Sequence, residues 1–570
     1  MKQLVVSVLH KALKELDVKL KEEEIEKLLE IPPSPEMGDY AFPCFSLASK
    51  LKRNPNEIAL EIRGKIGSEK TLDFDDIQTQ GPYINFFLDR KVLAIKLLQE
   101  ILKKGDNYGK TKLDRPMKTM IEFPSPNTNK PLHLGHLRNM AIGESVARIL
   151  ESSGEKVIRA NLNNDRGIHI CKSMAAYEKY GKDATPKTAK KKSDHFVGDF
   201  YVKFNEKSKK DEKLEIESHR LLQRWEDGDK EVVSLWKKMN KWALDGFKET
   251  YEKFGVGFDK EYFESQIYEK GKEIILQGLK DKIFEKRKDG AIIIKLGKEG
   301  LGEKVLLRID GTSVYITQDI YLAKKKLGDF KLDKSIYVTG NEQEYHFNVL
   351  FTILKKLGYK FSDKLYHLSY GMVNLPEGRM KSREGTVVDA DDLIEKVQSL
   401  VKKELESREK LSKKQLEERS LKIALASIKY MLLKIDTKKN MIFNPRESIN
   451  FEGDTGPYIL YSYARASSIL KKIKKSDKKL KLVELHKKEI ELVKKLEQFQ
   501  SVVSSSYNSL NPSLIANYSY QLAQIFNEFY HACPVINSEN ESFRILLVES
   551  FRQVLRNALS LLGIETLEKM

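Results

Sequence analysis

The sequence predicts an α/β protein built on a parallel sheet, with a smaller α/β unit before it and an all-helical region after it. Three observations carry the prediction. From Lys118, KTMIEF reads as a strand, PSPNTNKP as a loop, the stretch from about His136 to Ser153 as a helix stopped at Gly154, and KVIRANLNN as the next strand. Strand, helix and strand in so short a span make a βαβ unit, the building block of a parallel nucleotide-binding sheet. Strand-like runs then return as GAIIIKL, KVLLRID, KSIYVTG and YHLSYGMVNL, which we read as the resumption of that sheet. From Leu393 onward the apolar residues recur at helical spacing to the end of the chain.

Taken in order, residues 1–112 form the first unit: two helical segments, then GDYAFP and QGPYINFFLD separated by Pro and Gly punctuation. Residues 113–392 hold the sheet, interrupted by a charged, helical insertion at about 177–288 that includes the basic and aromatic LWKKMNKWALDGFKETYEKF. Residues 393–447 read as a helical connector and 448–570 as a helical terminal domain.

A length of 570 residues suits three or four domains with large cores. Lysine plus arginine number 101 against 83 acids, a net charge of +18, which is the sign needed to gather a phosphate polymer. Cys44, Cys171 and Cys533 are scattered without CxxC or Cys/His spacing, so neither a disulfide framework nor a structural zinc site is expected, and a reducing compartment fits. No stretch approaches the ~18 apolar residues of a membrane span, and the N-terminus reads as an amphipathic helix.

The chemistry concentrates in HLGH, His133 to His136, which follows the first strand and opens a helix. Backbone N–H groups at a helix start attract phosphate, Gly135 permits close approach, and two imidazoles are hydrogen-bond donors for developing negative charge. Farther on, Tyr315 and Asp319 lie four apart, on one face if a helix begins there, Gln343 follows the strand SIYVTG, and Glu122, Ser125 and Asn127 occupy the first strand and its loop.

EFPSPNTNKPLHLGHLRN is similar to the signature of class I aminoacyl-tRNA synthetases, and of the arginyl family in particular. GDYAFP, GPYINF, DGTSVYITQD, YVTGNEQEYHF, GRMKSREG and NFEGDTGPYILYSYARASSIL resemble that family in the same order over nearly the whole chain. The resemblance implies a Rossmann-like catalytic domain, an N-terminal domain that binds the tRNA elbow and a C-terminal anticodon-binding domain. It implies arginine tRNA, L-arginine and ATP as substrates, Mg²⁺ accompanying ATP, no resident metal, and a cytoplasmic monomer with neither DNA nor membrane as partner.

By resemblance, His133, Gly135 and His136 bind ATP together with Met380, Lys381 and Ser382 of RMKSR, the counterpart of the family's KMSKS loop. That loop departs from the family pattern, since Ser382 stands where the second lysine belongs, and Lys130 is expected to substitute for it. His133, His136, Lys130 and Lys381 are thus the catalytic candidates. Glu122, Tyr315 and Asp319 are expected to hold the arginine side chain, and Ser125, Asn127, His136 and Gln343 its amino-acid head and the adenylate. Tyr83 and Asn85 are candidates for contact with an exposed tRNA base. Two rivals stand beside this reading: a cysteinyl-type enzyme, disfavoured by the absence of zinc-ligand spacing, and a tRNA-binding relative that has lost catalysis.

Overall fold

The computed structural model describes residues 2–67, 74–374, 376, 388–408, 410–473 and 482–570. It divides into two compact units, one of residues 1–108, 469–497 and 527–553, the other of 109–468, 498–526 and 554–570.

In the first unit, β1 (Tyr40–Pro43), β2 (Phe74–Gln80) and β3 (Tyr83–Leu88) form an antiparallel sheet in the order β1-β3-β2. Alternation along β3 turns Ile84, Phe86 and Leu88 into a core shared with Val5, Leu9 and Leu13 of the first helix and Ile58 and Ile62 of a later one. Helix Arg90–Lys104 is capped by Asp89, which accepts from the amides of Lys91 and Val92, and Lys91 Nζ donates to the Val483 carbonyl at 2.7 Å. The N-terminal segment therefore clusters with parts of the C-terminal helices.

The second unit contains, in chain order, β4 (Lys118–Glu122), β5 (Lys156–Asn163), β6 (Lys260–Phe263), β7 (Glu285–Lys286), β8 (Ile292–Leu296), β9 (Gly302–Leu307), β10 (Lys334–Gly340), β11 (Leu365–Tyr370), β12 (Val373–Asn374) and β13 (Met441–Ile442). Five of them make one parallel sheet in the order β11-β10-β4-β5-β6. The chain moves outward from β4 through β5 to β6, then returns to the other side of β4 for β10 and β11. The strand order thus reverses between β4 and β10, and a crevice at the carboxyl ends of those two strands is where ligands bind in such sheets.

Two sequence expectations are corrected here. GAIIIKL and KVLLRID do not resume the parallel sheet; they are β8 and β9 of a separate antiparallel sheet, β7-β8-β9. An apolar run of that length looks alike in either setting. Nor is 177–288 wholly an insertion, because Lys260–Phe263 inside it is the edge strand β6, paired with Ala160 to Asn163. The helix after HLGH spans Leu134–Ser152, two residues earlier than its periodicity suggests, because His133 caps it.

Helix Leu134–Ser152 lies close on the end of β4: a Cβ at Gly143 would stand 2.4 Å from the Phe123 ring. The opposite face of the sheet buries Met120, Ile158 and Tyr337 with Leu322 and Leu350 of helices Tyr315–Phe330 and Glu344–Lys356.

Candidate active site

The site begins with the cap of helix Leu134–Ser152. His133 Nδ1 accepts from the Gly135 amide at 3.1 Å, and His136 Nδ1 accepts from the His133 amide at 3.0 Å, so two histidines fill the reciprocal positions of a capping box. Their rings lie 3.9 Å apart. Burial, and then the charge of Lys130, pushes His133 down to about 3; burial pushes His136 well below its ordinary value too. Both rings are therefore neutral near pH 7, and with Nδ1 accepting, the proton of each sits on Nε2. Each imidazole is a one-donor group beside a positive helix end. Gly135 serves the cap itself, since a Cβ there would stand 2.9 Å from the His133 ring.

The next turn carries the fully buried Arg138. Its guanidinium donates to the carbonyls of Met372 at 3.1 Å, Lys439 at 2.8 Å and Thr437 at 3.4 Å, tying β12 and the β13 approach to the HLGH helix. Past RMKSR, the Leu134 amide donates to the Val388 carbonyl at 3.1 Å and the Ala390 amide to the Leu132 carbonyl at 2.9 Å. The segments on both sides of RMKSR are thus bonded to HLGH. Met380, Lys381 and Ser382 themselves lie outside the described residues.

Helix Ser193–Ser208 braces the same place. Lys192 Nζ donates to Asp391 Oδ2 at 2.7 Å and to Thr250 Oγ1 at 2.6 Å, and His195 Nε2 lies 3.3 Å from Asp389 Oδ1. Burial lowers the affinity of His195 for a proton, but Asp389 and Asp391 outweigh it and raise the group to about 10. Asp194, His195 and Asp391 are grouped closely enough to hold a metal ion, yet the positive charge among them comes from Lys192 and His195.

A cavity of about 810 Å³ opens at the carboxyl ends of β4 and β10. Glu122, Ser125, Asn127, His133, Gly135, His136, Asp319 and Gln343 all line it, so eight of the expected site residues converge from three parts of the chain, 122–136, 319 and 343. Ser125 has φ of 54°, a left-handed conformation uncommon for a residue with a side chain, and it is held from both sides: its amide donates to Asn161 Oδ1 at 3.1 Å and its carbonyl accepts from Asn164 Nδ2 at 3.0 Å.

Two expected residues do not line this cavity. Tyr315 is the first residue of helix Tyr315–Phe330 and is 66% exposed, whereas Asp319, one turn on, reaches the wall. Lys130 also stays outside the lining, although its charge acts on both imidazoles. In the first unit, Asn85 is buried on the middle strand β3, its amide 3.5 Å from Gln80 Oε1, so it does not offer a surface for RNA. Tyr83 is half-buried, edge-on to the exposed Phe45 at 5.5 Å.

Sequence reasoning missed the partners of the acids. Lys326 Nζ donates to Glu122 Oε2, and both side chains are buried; the ammonium also lies 4.6 Å from the centre of the Tyr337 ring. His346 Nε2 lies 2.7 Å from Asp319 Oδ2. Asn139 joins them in the lining, its amide donating to the Val338 carbonyl at 2.7 Å. Lys326 stands in the charge run AKKKLGDF, which reads as a solvated helix face; only the repeat of helix Tyr315–Phe330 shows that position 326 falls about two turns beyond Asp319, on the same inner side.

Comparison with known proteins agrees with this geometry. Residues 97–445 match the profile of tRNA synthetases class I (R), catalytic domain; residues 2–88 match the arginyl tRNA synthetase N terminal domain; and residues 459–570 match the DALR anticodon binding domain. The chain is 47% identical over 564 residues to an arginine–tRNA ligase of Treponema denticola, covering 95% of this chain and 94% of that one. It is 43% identical over 580 residues to that of Borrelia duttonii, covering 99% and 98%. The solved arginyl-tRNA synthetase of Thermus thermophilus superposes over 100% of both chains with a TM-score of 0.79 at 26% identity. With a βαβ sheet reversed at β4 and β10, an imidazole pair capping the first helix, and a matching catalytic profile over more than half its length, the chain belongs to the arginyl-tRNA synthetase family of class I aminoacyl-tRNA synthetases.

Proposed function

We propose that this chain attaches L-arginine to the 3′ end of arginine tRNA through an arginyl-adenylate. The observation that carries the reading is one cavity whose wall includes both the HLGH helix start, with its phosphate-binding chemistry, and two carboxylates, Glu122 and Asp319. A guanidinium is planar and permanently charged, and carboxylates are its best partners.

In this reading a carboxylate oxygen of arginine attacks the α-phosphorus of ATP, the bond to the bridging β-oxygen breaks, and pyrophosphate leaves. The 2′-hydroxyl of the terminal adenosine then attacks the arginyl carbonyl, and AMP departs. The Nε2–H groups of His133 and His136 donate to phosphate oxygens, the positive end of the helix that they cap attracts the phosphates, and Lys130 adds positive charge close by. Lys381, Met380 and Ser382 complete the nucleotide end by resemblance. Ser125, Asn127 and Gln343 hold the amino-acid head. No protein nucleophile is required, because the reaction runs on positioning and electrostatics.

Glu122 and Asp319 already hold Lys326 and His346, a donor set poorly suited to a protein-bound divalent ion, so Mg²⁺ enters the proposal as the companion of the ATP phosphates, with no residue assigned to it. Residues 113–392 are read as the catalytic domain, 393–447 as the connector, 1–112 as the tRNA-elbow domain with Tyr83 presenting its ring, and 448–570 as the anticodon domain. The protein acts as a cytoplasmic monomer; among the described residues no helix is long and apolar enough to cross a membrane.

The test is charging of an arginine tRNA transcript with each of the twenty labelled amino acids, ATP and Mg²⁺ being present. Product with arginine alone is expected. Binding of the tRNA without any charging would instead mark a relative that has lost catalysis.

A further inference from the structure

Both carboxylates at the arginine end of the cavity are already engaged by bases of the chain itself, and the two bases differ in how easily they leave. Lys326 is fully buried, bonded to Glu122 and set against the Tyr337 ring. Its withdrawal would strand a buried carboxylate. His346 and Asp319 are more open, with side chains 30% and 27% exposed. An arginine side chain arriving at Asp319 brings a charge it cannot shed into a cavity whose wall already holds an ammonium that cannot move away. Of the three positive groups, only the imidazolium can lose its charge near neutral pH.

We propose that His346 is a proton-coupled specificity residue: the guanidinium of the substrate takes Asp319 over from the His346 imidazolium, whose Nε2 proton passes to solvent. This rests on the reading that the arginine side chain is bound at Asp319. Protonated His346 is then a built-in competitor for the substrate's place. A neutral amino acid of similar length gains nothing at Asp319 and displaces no proton.

The groups facing His346 agree with a ring that is charged before substrate arrives. Asp319 of helix Tyr315–Phe330 bonds it; Lys304 of β9 and His367 of β11 oppose its charge from the other sides. On its own helix Glu344 accepts from Ser369 Oγ at 2.6 Å, and the Tyr345 hydroxyl donates to the Leu301 carbonyl at 2.8 Å. Burial alone would lower His346, but the bond to Asp319 outweighs it and raises the group above 6.5. The ring is thus biased toward the imidazolium before substrate arrives.

The test is calorimetric titration of the full chain with L-arginine near pH 6.5 in two buffers of different ionisation enthalpy. About half a proton or more is expected to be released per arginine bound, and little or none by His346→Gln, which keeps a neutral donor for Asp319. Across about pH 6 to 8 the wild-type dissociation constant is expected to tighten on the order of tenfold as the competitor discharges, and the variant to stay nearly flat. Should the variant fail to fold, the wild-type proton count and pH slope still decide. Arginine binding with no proton released, or the same release from His346→Gln, overturns the proposal while leaving the proposed function standing. No arginine binding and no charging at any pH would reject the function reading itself.

Discussion

Lys130 illustrates what one residue contributes at this site. Burial lowers its affinity for a proton, and its charge helps keep His133 and His136 neutral. It stands back from the cavity wall, so its contribution is to the electrostatic potential at the phosphate end. Lys130→Ala is expected to slow arginine-dependent pyrophosphate exchange by about a hundredfold, the scale of losing one preorganised positive group, while the dissociation constant for tRNA is unchanged. A wild-type exchange rate would remove Lys130 from the reaction. The HLGH residues were legible in the sequence because their context, strand then loop then helix start, is local. The pairing of Glu122 with Lys326 and of Asp319 with His346 was not, since the partners stand 204 and 27 residues apart and look like ordinary charged positions until the sheet brings them together.

Among elements, helix Ser193–Ser208 and the start of helix Ala390–Arg408 are joined by charge. His195, raised to about 10 against burial by Asp389 and Asp391, contributes stability that is complete below its unfolded value of about 6.5 and is lost as pH rises toward 10. Asp391 is held below the usual carboxylate range despite its burial, by bonds from His195, Lys192 and Thr250, so its contribution is present above about pH 4 and fades on acidification. Thermal melts are accordingly expected to lose on the order of 2 kcal/mol between pH 6.5 and 10, after allowance for solvent screening, and His195→Gln to flatten that slope. Identical slopes would show that the brace adds nothing to stability. At this scale sequence reading found the βαβ unit and the helical C-terminal region but misplaced two pieces. β6 is four residues of KEYF with no alternation to mark it, and β8 is an apolar run whose partner only tertiary contact selects.

For the whole molecule the governing quantity is the charge of +18. Gathering tRNA by releasing its counterions predicts that the dissociation constant for tRNA rises steeply with salt, on the order of tenfold between about 50 and 200 mM if roughly two phosphates are neutralised. Calorimetry or filter binding over that range checks it, and an affinity indifferent to salt would show that the lysines are merely solvated. What the sequence by itself determined is the set of local facts: that a strand, a loop and a helix follow one another from Lys118, that the helix is opened by two histidines, and that acids, amides and a phosphate-binding motif are all present. Those follow from periodicity, capping and residue chemistry, which act over a few residues. What only the tertiary structure decided is which of them meet. The reversal of strand order between β4 and β10 creates the cavity, and position along helix Tyr315–Phe330 admits Asp319, one turn in, while leaving Tyr315 outside at the exposed first residue. Burial against the sheet turns Lys326 from a surface charge into the fixed partner of Glu122, because a buried carboxylate must find its counter-charge wherever the fold supplies one.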